Sequence, residues 1–304
     1  MLKTIVILIA TLLVLPAITF LFDKPLMPEQ WNMLTHSIYI MLSAALACFV
    51  IAQLTRNCSQ VDKIWSIMPV VYTWYFAYAG SWSPRLLLLA GVVTIWGIRL
   101  TYNFSRRGGY SWKFWTGEED YRWEVVRQIP VLKGRIRWMF FNLLFISLYQ
   151  NALLLMITLP AVIAWQGNDK PLTIFDLLTA ALYIGFVVIE TIADQQQWNF
   201  QNEKHRKIKA GEILKGDYAQ GFLSSGLWAS VRHPNYASEQ ALWICFYLFS
   251  VVATGRWINW SMAGSLLLMI LFQSSSDFSE SISVKKYPAY EEFKKRVPRF
   301  IPLF

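Results

Sequence analysis

Charge is scarce in this sequence. Asp, Glu, Lys and Arg make up 15% of the 304 residues, while 55% are hydrophobic. Soluble domains carry about 25% charged residues, so this is not the composition of a soluble enzyme. Cysteine is scarce too: Cys48, Cys58 and Cys245 are scattered and form no C-x-x-C pair, which points away from a disulfide framework and from zinc. The three histidines, His36, His205 and His233, never fall within one helical turn of each other, so no metal site is expected. Internal repeats, low-complexity tracts and Pro/Gly-rich linkers are also missing. The whole chain, residues 1–304, is therefore expected to form a single integral-membrane domain.

What the chain has instead is long uncharged runs, at residues 4–22, 30–55, 64–84, 138–168 and 257–276. Shorter ones at 86–98, 177–189 and 240–255 reach spanning length once boundary residues are added. A helix needs about 20 apolar residues to cross a bilayer. The pattern predicts an all-α, polytopic bundle of about eight transmembrane helices, a multi-pass protein of the inner or cell membrane if bacterial. Lys3 before the first run suggests a signal peptide, but no small-x-small cleavage site follows, so 4–22 is expected to be an additional signal-anchor helix. Lys and Arg collect in 99–137 (nine), 198–235 (six) and 277–304 (six), with one each in 23–30, 80–85, 165–176 and 253–256. Eight spans put every basic segment on one face, with both termini cytoplasmic. The net charge of +9 is then mostly topology. Nucleic acid is not needed to explain it, and membrane lipid headgroups or an anionic cofactor are the expected partners.

The densest cluster of chemistry is GLWASVRHPNYASE at 226–239, between two apolar spans. Pro234 suits the first position of a helix. The free amides and dipole of that first turn suit an anion, and Arg232 offers a planar fork matched to phosphate oxygens. Asn235 and Glu239 are four apart and share a helix face. The plain alternative is an interfacial loop whose Arg232 and His233 meet lipid headgroups. Upstream, Glu190, Asp194, Gln197 and Gln201 form one polar stripe. Carboxylates at the C-terminal end of a spanning helix oppose its dipole, so ribose hydroxyls, an amide or a nearby Arg should hold them. A solvated face is the alternative. Asp62 sits at the mouth of the third span, either as a helix-start carboxylate or as a substrate-facing acid; the sequence leaves both open. Arg99, Asn103 and Arg106 share one face and fit dipole partners or snorkelling anchors. The stretch SWKFWTGEEDYRW reads as an amphipathic connection lying on the membrane. In the tail, Tyr287, Tyr290, Phe293 and Val297 are expected to dock.

In family order, VDKIW (61–65), WGIRL (96–100), the EED-Y-R-W stretch (118–123), ADQQQWNF (193–200), GLWASVRHPNYASE (226–239) and the SESISVKKYPAY-to-FIP tail (279–302) resemble the steroid 5α-reductase-like membrane family, in its branch with a VDxxW segment. The resemblance covers nearly the whole chain, with a reductase-like core at about 31–304. It implies a bundle of seven or more helices with a cytoplasm-facing NADPH pocket. It also implies reduction of a carbon–carbon double bond conjugated to a carbonyl in a hydrophobic lipid or steroid-like substrate. Carried over residue by residue, it makes Asp194, Asn235 and Glu239 cofactor-binding. Glu190 falls where relatives place an amide. Arg232, His233, Tyr236 and Glu280 join the cofactor set, and Asp62 is the candidate catalytic carboxyl by analogy of place.

Two departures stand out. Relatives carry a tyrosine shortly before the Arg of the fourth-helix segment, where this chain has Trp96, and histidines before the terminal Tyr-Pro motif, where it has Ser274–Ser276 and Glu280. A rival resemblance is to isoprenylcysteine carboxyl methyltransferases and related phospholipid methyltransferases, which bind S-adenosylmethionine. They share the RHPxY-to-Glu region, but their tails typically read E-E-x-x-L. A transporter or scaffold would leave the polar residues at the ends of the last spans unexplained.

Overall fold

The computed structural model describes Val14 and residues 16–302. The expected signal-anchor helix lies largely outside them, although residues 16–21 are helical. Among the described residues all regular structure is helical. Helix α1 (Pro28–Thr55) begins with proline at its first position and Gln30 accepting the Met27 N–H at 3.0 Å. It ends at Arg56 in the left-handed conformation, φ 59°. There follow α2 (Gln60–Ile64), α3 (Met68–Ala79), α4 (Pro84–Ser105), α5 (Tyr121–Arg127), α6 (Arg135–Gly167), α7 (Ile174–Lys209), α8 (Asp217–Gln220), α9 (Leu227–Ser230), α10 (Pro234–Thr254), α11 (Met262–Lys286) and α12 (Tyr290–Arg296).

Five of these, α1, α4, α6, α7 and α10, are long and apolar enough to cross a membrane. The run 64–84 is not one continuous helix. It breaks at 65–67 and restarts with Pro69 near the head of α3, where a missing N–H is harmless, which leaves α3 only 12 residues long. Helix α11 has 25 residues, but its apolar start gives way to Gln273, Ser274, Ser275, Ser276 and Asp277, so it is not among the five.

The chain divides into two compact units. One comprises Met1–Ala180 and Cys245–Leu268, the other Ala181–Ile244 and Met269–Phe304. The boundaries fall inside α7, α10 and α11, which is why no linker marks them in the sequence.

In the first unit, the turn before α3 is knitted to the Trp-rich connection. Buried Lys63 donates to the carbonyls of Phe114 (2.9 Å) and Thr116 (2.6 Å), Gln60 to that of Trp115 (3.1 Å), and Asn57 to that of Gly117 (3.0 Å). Glu119 accepts the Cys58 N–H at 2.6 Å and pairs with Arg127. Four carbonyls of an irregular loop are thereby satisfied by side chains.

In the second unit, the tail folds onto the connection between α7 and α10. Tyr290, Phe293 and Val297 bury against Phe222, with Tyr287 and Val284 alongside. These are the aromatic and apolar tail positions that the sequence picks out for docking.

Candidate functional site

The site in the second unit is built on the starts and ends of α7, α10 and α11. Gly226 opens it with φ +62°, and a Cβ there would come within 2.7 Å of the Gln196 amide. Only glycine fits both constraints. Gln196 accepts the Leu227 N–H at 3.1 Å, and Trp228 donates to the Ala193 carbonyl at 3.1 Å. These bonds fix the 226–233 segment along α7. The chain then turns extended at Val231. The Arg232 and His233 N–H groups donate to the carbonyls of Pro298 (2.9 Å) and Arg299 (3.2 Å), and α10 starts at Pro234.

Two polar nodes result. In the first, Asn235 Nδ2 donates to Asp194 Oδ1 at 3.1 Å, which joins the polar stripe of α7 to the head of α10. Glu190 and Asp194 are buried one turn apart on α7, and Glu239 is buried one turn beyond Asn235, where its Oε1 accepts from Trp243 Nε1 at 2.9 Å. In the second, Glu280 is 1% exposed. It receives Arg232 Nε at 2.8 Å and Nη2 at 3.3 Å, and His233 Nε2 lies 2.8 Å from its Oε1. The remaining Arg232 nitrogen donates to the carbonyls of Lys294, at 3.0 Å, and Val297. The His233 ring stacks on Tyr236 (5.4 Å, 15°), and Tyr236 in turn meets Phe272. The fork of Arg232, which the sequence offers to phosphates, is thus filled by a carboxylate 48 positions away and two backbone carbonyls.

Glu280 has a testable acid signature. Burial raises its pKa, but the hydrogen bonds and charges of His233 and Arg232 outweigh burial and hold it at about 2. A depressed folded-state value stabilises the fold above the ordinary glutamate range, and that stability is lost as pH falls towards about 2. The thermal midpoint of the purified protein should therefore drop between about pH 4.5 and pH 2. Glu280→Gln should start lower and show a shallower drop, the remainder coming from other carboxyls held below their ordinary range, such as Asp120 beside Arg122 and Asp217 among the Ser224 and Ser225 donors. An identical pH profile in the variant would rule out the ion pair as its source.

Asp62 lies in the first unit. Trp123 Nε1 donates to its Oδ2 at 3.3 Å, so the VDKIW and EED-Y-R-W segments meet in one place. Burial raises the Asp62 pKa, with Arg122 opposing, and burial lowers that of neighbouring Lys63, with Asp62 opposing. Among the described residues no group of three or more His, Cys, Asp and Glu could hold a metal.

A family of proteins of unknown function, DUF1295, matches residues 48–297, a stretch that includes every candidate residue above. The chain belongs to the DUF1295 family. An uncharacterized protein of Schizosaccharomyces pombe is 35% identical over 261 residues, covering 82% of this DUF1295 chain and 73% of the yeast protein. No solved structure matches significantly.

Partners that the motifs did not reveal include Gln196 and Trp228, which tie the loop to α7 through the Leu227 N–H and the Ala193 carbonyl, and Trp243, which donates to Glu239. Trp243 lies four residues after Glu239, a helical spacing that was visible in the sequence.

Proposed function

We propose that this DUF1295 chain is a membrane-embedded reductase that uses NADPH to saturate a carbon–carbon double bond conjugated to a carbonyl in a lipid or steroid-like substrate. With it we propose the finer topology of eight spans and cytoplasmic termini, supported by the bias of Lys and Arg. The observation that carries the function is the Asn235–Asp194 hydrogen bond of 3.1 Å, with the buried carboxylates Glu190 and Glu239 a turn away on either helix. These are the positions that the steroid 5α-reductase-like resemblance assigns to the cofactor.

The donor set fits the sugar and amide parts of a dinucleotide. Carboxylates accept from ribose hydroxyls, and an asparagine amide both donates and accepts. Arg232, held by Glu280, would position the loop rather than grip a phosphate. Arg299 is also ion-paired, its Nη2 lying 2.7 Å from Asp277 Oδ1 and 3.6 Å from Glu280 Oε2, but its buried Nη1 has no hydrogen-bond partner among the described residues and leaves one donor for that task. NADPH bound by these groups would supply the hydride. The same resemblance gives Asp62 the role of hydrogen-bonding the substrate carbonyl oxygen, where negative charge develops. Its raised pKa keeps it protonated over more of the pH range than an ordinary carboxyl, as a donor needs.

The test is thermal stabilisation of purified protein in detergent by NADPH, NADH or S-adenosylmethionine, since a ligand bound only by the folded form raises its midpoint. NADPH is expected to do so. A response to S-adenosylmethionine alone would assign a methyltransferase instead. For Asp62→Asn the expected outcome is loss of enone reduction with the NADPH shift retained. Turnover unchanged from wild type would remove Asp62 from the mechanism.

A further inference from the structure

The middle of α6 is not α-helical: Asn142–Tyr149 winds as an eight-residue π-helix. In an α-helix, residues five apart point roughly 140° away from each other, whereas π register returns them to nearly the same face. That register lets Ser147 Oγ donate to Asn142 Oδ1 at 3.2 Å, while Asn151 Nδ2 donates to the Ser147 carbonyl at 2.8 Å. Asn142, Ser147 and Asn151 therefore form one polar seam, and all three are at most 1% exposed. The seam is incomplete at both ends. Asn142 Nδ2, a donor, and Asn151 Oδ1, an acceptor, have no hydrogen-bond partner among the described residues. The hydroxyl of Tyr72 on α3, fully buried, has none either. Cys48 of α1 lies against the Asn151 amide and within electrostatic reach of Tyr72, so all these groups belong to the same α1–α3–α6 interior.

An unmet polar group in an apolar interior is costly, and π segments inside α-helices frequently mark functional sites. We propose that the Asn142–Ser147–Asn151 seam, with Tyr72, binds the polar end of an otherwise apolar molecule carrying both a hydrogen-bond acceptor and a donor: a hydroxylated or amide-bearing lipid. The acceptor takes the Asn142 amide hydrogen or the Tyr72 hydroxyl, and the donor satisfies Asn151 Oδ1. A molecule with only an ester or ketone leaves Asn151 Oδ1 unmet, and sites built to hydrogen-bond a ligand donor discriminate strongly against analogues that lack it.

This goes beyond the reductase reading and needs no dinucleotide, so the two stand or fall on different measurements. The test compares N-oleoylethanolamine, which has amide, carbonyl and hydroxyl groups, with methyl oleate, which has an ester alone, as stabilisers of the full-length protein in detergent. The amide lipid should raise the thermal midpoint and methyl oleate should do so far less. Tyr72→Phe removes a hydroxyl that bonds nothing among the described residues. It should leave the ligand-free midpoint unchanged or higher and weaken apparent affinity for the amide lipid roughly tenfold. Asn151→Leu should also lose the response, and Tyr72→Phe decides the matter if that variant folds poorly. Any of four results overturns the proposal: no shift with N-oleoylethanolamine, equal shifts from the two lipids, an undiminished response in Tyr72→Phe, or a ligand-free midpoint lowered by several degrees in Tyr72→Phe, which would mean that the hydroxyl is already bonded.

Discussion

Replacing Arg85 by methionine is expected to destabilise the protein by roughly 3–5 kcal/mol, the range for removing one partner of a buried ion pair. Arg85 at the head of α4 is 3% exposed, and Asp176 in the first turn of α7 is fully buried. Two parallel bonds join them, Nε to Oδ1 at 2.8 Å and Nη2 to Oδ2 at 3.1 Å. The other donors of the fork reach the carbonyls of Gly167 (2.6 Å) and Pro171 (3.1 Å). Asp176 Oδ2 also accepts the backbone N–H and the hydroxyl of Thr173, at 2.8 and 2.9 Å, which is a capping arrangement at the start of α7. Without Arg85, a buried carboxylate loses its counter-charge and the Pro171 carbonyl its guanidinium donor, while Gly167 keeps only the Lys170 N–H at 3.1 Å. The double variant Arg85→Met/Asp176→Leu leaves no isolated charge, so it should be less destabilised than the sum of the two single variants. Unfolding midpoints of the three proteins in detergent measure this. A single-variant loss below about 1 kcal/mol, in the range of an exposed pair, would show that the pair is solvated.

Arg85 also shows where reading the sequence stops. It counts there as a minor charge on the sparsely basic side, and nothing in the row connects it to a carboxylate 91 positions later. The all-helical class was legible because uncharged runs of spanning length permit little else. The break inside 64–84 was masked, since IWSIMP is as apolar as its surroundings, and its one local sign, Pro69, suits a helix start but does not show by itself that the run divides. The π register of 142–149 was hidden for a related reason: α and π windings of NLLFISLY bury the same residue types and differ only in which of them align. The polar stripe Glu190–Asp194 was legible from its spacing, and Asn235 and Glu239 from theirs. The pairing of Asn235 with Asp194 needed two helices to be brought together. Arg232 was legible as a functional fork but not as one already filled, because its partner Glu280 lies on another helix. VDKIW and EED-Y-R-W each stood out alone, and only folding joins them through Trp123 and Asp62.

Asp194→Ala and Asn235→Ala are each expected to abolish the thermal response to NADPH, and the size of that loss separates binding from scaffolding. The Asn235–Asp194 bond is 3.1 Å long between side chains on α7 and α10. If it served only to tie the helices, its removal would lower the ligand-free midpoint by the equivalent of about 1 kcal/mol, the net worth of an ordinary hydrogen bond. The added stabilisation at saturating NADPH, about 2.7 kcal/mol at a hundred times the dissociation constant, would then survive intact. If the two side chains hold the cofactor, that added stabilisation disappears in both variants while the ligand-free proteins differ little. The gap between liganded and ligand-free midpoints therefore distinguishes the two roles, and the midpoint alone does not. A variant of Trp243, which bonds Glu239 rather than Asp194, provides the contrast: Trp243→Phe should weaken the response without removing it. Should Asp194→Ala and Asn235→Ala both keep a full NADPH shift, the dinucleotide assignment to this node fails even if the protein binds NADPH elsewhere.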